Sequence, residues 1–112
     1  MTSSALLHVA VEAEYEARRS APSHAPEAMA AEGFIHCCRP EQLAGVLERY
    51  YRERDDLLLL ALDEAAVADV LKEEDTTGRG ERFPHLYGEI PRSAILSIEP
   101  FATDAAGARR SR

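Results

Sequence analysis

The chain is short of several things, and each shortage excludes a class of protein. No apolar run approaches the ~20 residues that a membrane-crossing helix needs. The first residues lack the basic-then-apolar layout of a secretory leader. Lys72 is the only lysine, and 13 basic residues stand against 20 acidic ones, a formal net charge of −7. Three of the arginines, Arg109, Arg110 and Arg112, sit together at the C-terminus with one acid, Asp104. Residues 1–101 therefore carry 10 basic and 19 acidic groups. A general nucleic-acid coat protein, which holds phosphate through many Lys and Arg contacts, is excluded on that balance. An anionic ligand would have to be held by a few placed arginines or by backbone amides.

Cysteine is scarce too. Cys37 and Cys38 are the only two, and they are neighbours. Adjacent cysteines form only a strained disulfide and make no secreted framework, so they read as small buried apolar side chains of a reduced, cytoplasmic protein. The alanine- and arginine-rich composition fits a GC-rich bacterial genome.

The 112 residues, 46% of them hydrophobic, suit one domain, expected over residues 1–101 with a disordered tail over 102–112. Leu6–Val11 (LLHVAV) reads as a buried strand around one histidine. Glu12–Arg19 has acids early and arginines late, the order a helix dipole favours. Ser20–Pro26 reads as a loop, with His24 exposed in it. Gly33–Cys38 (GFIHCC) opens on a turn residue and continues as a short strand. Pro40–Tyr51 is the clearest helix: Leu43, Val46, Leu47, Tyr50 and Tyr51 share one face, and Pro40 suits the first helical position, although Arg39 is a poor cap. Leu57–Leu62 (LLLLAL), flanked by acids, predicts a central strand buried on both faces. A helical turn over Asp63–Ala68, a strand over Val70–Glu74, a mobile polar loop over Thr76–Arg82, an aromatic segment over Phe83–Glu89 and a last strand over Ala94–Phe101 complete the order. The whole predicts an α+β fold with a mixed or antiparallel sheet and two main helices.

Three histidines lie in apolar or aromatic contexts: His8, His36 and His85. Burying several imidazoles is costly unless each has a partner, so one shared polar cleft is the economical arrangement. Three chemistries fit them. The first is a metal: His8, His36 and His85, with Cys37 or Glu89, are acceptable zinc donors, although their spacing matches no compact ligand pattern. The second is a Cys–His nucleophile built on Cys37 or Cys38 near His85. The third is the binding and activation of a phosphorylated ribose. In it the histidines and Tyr87 would bond hydroxyls and phosphates, Arg82 and Arg39 would supply charge, and Tyr87 or Phe34 would stack on a ring.

LLHVAV with its Glu/Tyr helix, EGFIHCC, the EQL helix, DDLLLLALD and ERFPHLYGEIP together resemble the bacterial family called domain of unknown function 952 over residues 6–101. EGFIHC and FPHLYG are its specific signatures. The family usually has serine where this chain has Cys38 and tryptophan where it has Tyr15. The family is grouped with the ADP-ribosyltransferase-like proteins, so the resemblance implies a small fold of that kind with NAD or a related nucleotide as substrate. It places His8 against the nicotinamide-side ribose. It likens His36-Cys37-Cys38 to a His-x-Ser strand and makes Glu89 or Glu81 the candidate late glutamate. The implied roles are acid–base chemistry by His85, with His36 and Tyr87 beside it, and ligand contacts by His8, Phe34, Arg82 and Cys38. A non-catalytic nucleotide-binding module and a zinc protein are the rival readings.

Overall fold

The computed structural model describes residues 5–112. The chain folds as a small α+β domain with three antiparallel sheets and few helices. Strand β1 (Leu6–Val11) runs into helix α1 (Glu12–Ala17). Next come the two-residue strand β2 (Ser23–His24) and the one-turn helix α2 (Met29–Glu32), which ends on Gly33 in the left-handed conformation at φ +86°. Strand β3 (Ile35–His36), helix α3 (Pro40–Tyr50) and strand β4 (Leu57–Leu62) complete the first half. A 3-10 helix over Glu64–Val70 leads to β5 (Leu71–Glu74), β6 (Phe83–Leu86), β7 (Ile90–Pro91), β8 (Ile95–Thr103) and β9 (Arg109–Ser111).

The main sheet has the order β1-β4-β8-β9, and β4 is buried along nearly its whole length. Side chains alternate across a strand, so β4 feeds two cores. Leu58, Leu60 and Leu62 pack with Leu6, Ile35, Leu86 and Ile90 on one face. Leu57 and Leu59 pack with Leu43, Leu47 and Phe101 on the other. Helix α3 covers that second core through Leu43 and Leu47, while Tyr50, expected on the apolar face, is 60% exposed. Arg39 is indeed no side-chain cap. Gln42 substitutes by reaching back, its Oε1 accepting from the Arg39 N–H at 2.9 Å.

A second sheet, β3-β6-β5, pairs His36 with His85 and Ile35 with Leu86. It is sewn to the main sheet by a bridge in which Leu7 and Cys38 exchange backbone hydrogen bonds at 2.9 and 2.8 Å. The third sheet joins β2 to β7, with His24 opposite Ile90.

Two expectations need correction. His24 is not an exposed loop residue; the β2–β7 pairing buries it completely. The C-terminal residues do not form a disordered tail. Strand β8 continues to Thr103, and β9 returns alongside it with Phe101 opposite Ser111 and Thr103 opposite Arg109. The reversal is built on Asp104, whose Oδ1 accepts from the N–H groups of Ala106 and Ala108 at 2.9 Å each. Arg112 then pairs with Glu12 at 2.8 Å. Among the described residues no helix is long and apolar enough to cross a membrane.

Candidate functional site

A cleft of about 500 Å³ opens where β1, β3 and β6 meet the C-terminal end of α3. All four histidines line it, together with Phe34, Phe83, Tyr50 and Tyr51. The local folding explains the convergence. His36 and His85 are opposed residues of an antiparallel pair, so their side chains rise from one face of the sheet. Their rings lie 5.2 Å apart, edge to face. Phe34 stacks on His85 at 4.3 Å and meets His36 at 4.8 Å. The β1–β3 seam brings His8 alongside, its Nδ1 donating to the His36 carbonyl at 2.8 Å. His24 arrives from the third sheet, with its ring 6.0 Å from that of His8 and 5.0 Å from that of Tyr15.

The histidines divide into two pairs by environment. His8 and His24 form the inner wall, 3% and 0% exposed. Burial disfavours their charged forms. It lowers the His8 pKa and brings that of His24 to about 4, where the charges of His8, Arg92 and Arg18 add to the effect. Nε2 of His8 and both ring nitrogens of His24 have no hydrogen-bond partner among the described residues. Each such buried atom costs on the order of 1–3 kcal/mol. Buried polar atoms are normally satisfied, so three unpartnered ring nitrogens in one wall are an unusual concentration.

His36 and His85 form the outer pair. His36 is exposed, with Nε2 3.0 Å from Glu32 Oε1. His85 is only 2% exposed, and its Nδ1 lies 3.0 Å from Glu74 Oε1. Tyr87 donates its hydroxyl to the same oxygen at 2.7 Å. These two bonds, Tyr87 first, hold the Glu74 carboxyl below its ordinary range, while the same contact pushes the Tyr87 hydroxyl up. A carboxylate accepts, so it holds the hydrogen of His85 on Nδ1 and leaves Nε2 as the free position of the ring. The result is a Glu74–His85 pair with the layout of an acid–base group: imidazole at the cleft, carboxylate behind it.

The other expected site residues are distributed as follows. Phe34 lies in the cleft wall, and Cys38 also lines it. Burial pushes the Cys38 thiol up to about 12 and the Cys37 thiol higher still, so neither is a thiolate nucleophile at neutral pH. Tyr87 touches Phe34 across 5.4 Å but acts on Glu74 and is not part of the lining. Arg82 is exposed and also outside the lining; Gln42 Nε2 donates to its backbone carbonyl at 2.7 Å. Arg39 is held by Glu64 at 2.7 Å and by Glu73, so it too is unavailable. The cationic lining residues are instead Arg49 and Arg79, both at the exposed rim. Glu89 is bound by Arg18 at 2.9 Å and by Ser23, and Glu81 by Gln42 at 3.3 Å. The glutamate that meets a cleft histidine is Glu74. The Thr76–Arg82 stretch is folded around Asp75, whose carboxylate accepts from the N–H groups of Thr77, Gly78, Arg79 and Gly80, setting Thr76, Thr77 and Arg79 over the cleft. The zinc reading finds no support, because among the described residues no three His, Cys, Asp or Glu side chains are grouped to hold a metal ion.

A small α+β domain with a histidine-lined cleft between two sheets is thus the class of protein that the fold and site define. The model of the family described as "Protein of unknown function (DUF952)" matches residues 9–98, and the chain belongs to that family. It is similar in structure to protein CC0527 from Caulobacter crescentus. The crystal structure of that protein is 28% identical with a TM-score of 0.83, covering 95% of this chain and 93% of the other. The solution NMR structure of CC0527 is 29% identical with a TM-score of 0.77, covering 92% and 89%. No curated protein matches the sequence.

Proposed function

We propose that the cleft binds a small molecule joining a planar ring to ribose hydroxyls and phosphate, as in NAD or ADP-ribose, and that His85 is its acid–base group. The observation that carries this reading is the convergence of all four histidines on one cleft, with three buried ring nitrogens unpartnered. The ADP-ribosyltransferase-like resemblance of the sequence supplies the ligand class. Phe34 and Phe83 offer flat apolar surface to a ring, and Arg49 and Arg79 at the rim suit phosphate.

The reaction this supports is glycosyl transfer. The bond between the ribose C1″ and the nicotinamide nitrogen breaks, and its electron pair leaves with the now neutral nicotinamide. The oxygen of an acceptor hydroxyl or of water bonds to C1″, and its proton passes to Nε2 of His85. Glu74 fixes the tautomer with that lone pair available and stabilises the imidazolium that forms. Tyr87 positions Glu74.

Thermal shift with NAD and ADP-ribose, followed by chromatography of the NAD samples, tests both halves. Binding raises the melting temperature, and free nicotinamide accumulates with water as acceptor. His85→Gln lowers its release by about 10²–10⁴-fold while retaining binding. No stabilisation by either nucleotide overturns the reading. NAD bound and recovered intact reduces it to a binding module.

A further inference from the structure

We infer that Asp75 is a positioning residue of the cleft: its carboxylate holds residues 76–80 as a preformed arch that keeps Arg79 at the rim, and so sets the affinity for a diphosphate group. This rests on the phosphate-binding rim proposed above and adds the residue that builds it.

Residues 75–82 join β5 to β6 and are polar, glycine-bearing and mostly exposed, the composition of a mobile connection. Asp75 organises them from within. Its Oδ1 accepts from the N–H groups of Thr77, Gly78 and Arg79 at 3.2, 2.9 and 3.3 Å, and its Oδ2 from that of Gly80 at 2.7 Å. The Thr77 hydroxyl donates to the same Oδ1 at 3.1 Å. Among the described residues, 76–80 make no hydrogen bond to any other part of the chain. Gly78 and Gly80, at φ +74° and +85°, supply the left-handed backbone that the curl requires. The far foot of the arch is tied to α3, where Gln42 Nε2 donates to the Arg82 carbonyl at 2.7 Å. The bonds that Asp75 accepts, that from Gly80 first, hold its carboxyl below the ordinary range, so it keeps both acceptor oxygens at neutral pH.

The arch faces the cleft through Thr76, Thr77 and Arg79. The chain has a net charge of −7, and Arg18, Arg39, Arg54 and Arg112 are each held by a carboxylate. Among the described residues Arg79 has no such partner, and neither has Arg49, the other arginine of the lining. The two guanidinium groups come from separate elements, so a group with two phosphates suits them better than a group with one. A guanidinium already in place loses less freedom on binding than one on a mobile loop. Asp75 is itself an anion beside the rim. By charge alone its removal would strengthen diphosphate binding; by position its removal weakens it.

Inorganic pyrophosphate and phosphate are the probes, titrated into the full chain by calorimetry at pH 7.5 and low ionic strength. Loop order is read in parallel from the {¹H}–¹⁵N NOE of Gly78 and Gly80. The free parent protein shows both amides as ordered as its strands, and it binds pyrophosphate more tightly than phosphate. Asp75→Ala lowers the NOE of both glycines and weakens pyrophosphate binding about tenfold. Arg79→Gln weakens it at least as much, and Asp75→Ala adds little in that background, since Asp75 acts through Arg79. Asp75→Asn keeps one acceptor oxygen, loses less than the alanine variant, and serves if that variant does not fold. A loop already mobile in the parent overturns the inference. So does pyrophosphate that does not bind, or binds no better than phosphate. An affinity that is unchanged or higher in Asp75→Ala, or additive losses in the double variant, overturns it as well. ADP-ribose separates the two readings. If it fails to bind while pyrophosphate still depends on Asp75 and Arg79, the nucleotide reading falls and Asp75 keeps its role. If it binds parent and Asp75→Ala equally, the role of Asp75 falls and the nucleotide reading stands.

Discussion

Acidification from pH 7 to pH 4.5 is expected to remove about 2 kcal/mol of folding stability through the buried His24 alone. In the unfolded chain His24 takes up a proton near pH 6.5, whereas in the folded protein it stays neutral until about pH 4. Between those values the unfolded state binds more protons, so stability is full above pH 6.5 and falls as the pH drops toward 4. The groups facing the ring reinforce this: His8, Arg92 and Arg18 oppose its protonation, and only Glu89 favours it. His8 acts in the same direction. The carboxylates with depressed pKa values, among them Asp56, Asp75 and Asp104, lose their contribution only at lower pH, so the window above pH 4.5 belongs mainly to histidine. Urea unfolding at pH 7, 5.5 and 4.5 measures the loss. His24→Phe, which removes two unpartnered nitrogens and their titration, should match or exceed the parent protein at pH 7 and flatten its pH dependence. A parent curve that is flat over this range, or an unchanged slope in the variant, contradicts the account of the inner wall.

Gly107→Ala should destabilise the protein by about 2–4 kcal/mol, combining a left-handed residue with a backbone overlap. Gly107 has φ +87°, and a Cβ there would stand 2.6 Å from the Glu48 Cα and 2.9 Å from the Glu48 nitrogen. Both obstacles are main chain of α3, so no side-chain movement relieves them. Thermal unfolding checks this, with a fall in melting temperature on the order of 10 °C. Gly78→Ala is the control, since Gly78 is also left-handed at φ +74° but has nothing within 4 Å. Equal losses in the two variants would show that the C-terminal turn is not packed on α3.

Much of the architecture is legible in the residues. LLHVAV and LLLLAL are strands because their apolar runs are too short for buried helices, and β4 is central because both of its faces are apolar. The Leu43–Leu47 spacing makes α3 a helix. Of the site, His8, Phe34, His36 and His85 are visible as polar or aromatic residues set in apolar strands. The residues that escape notice depend on pairings across long stretches of chain. His24 sits among serine and prolines, and nothing nearby announces that Ile90 will pair with it. Glu74 is one of two adjacent acids closing a polar strand; only the β5–β6 register, with Glu74 opposite Phe83, sets it behind His85. The Asp104-to-Gly107 spacing is the available signal for the C-terminal reversal, a carboxylate that accepts from the turn and a glycine that permits it. Arg39 misleads for a related reason: its arginine chemistry suits phosphate, but two glutamates already hold it.

The central claim, that four histidines from three sheets form one ligand site, is tested most directly by titrating NAD into the protein and following the ring signals of all four histidines by NMR. His8, His24, His36 and His85 are expected to shift together along one binding curve. No shift in any of them, or a shift confined to the exposed His36, would contradict it.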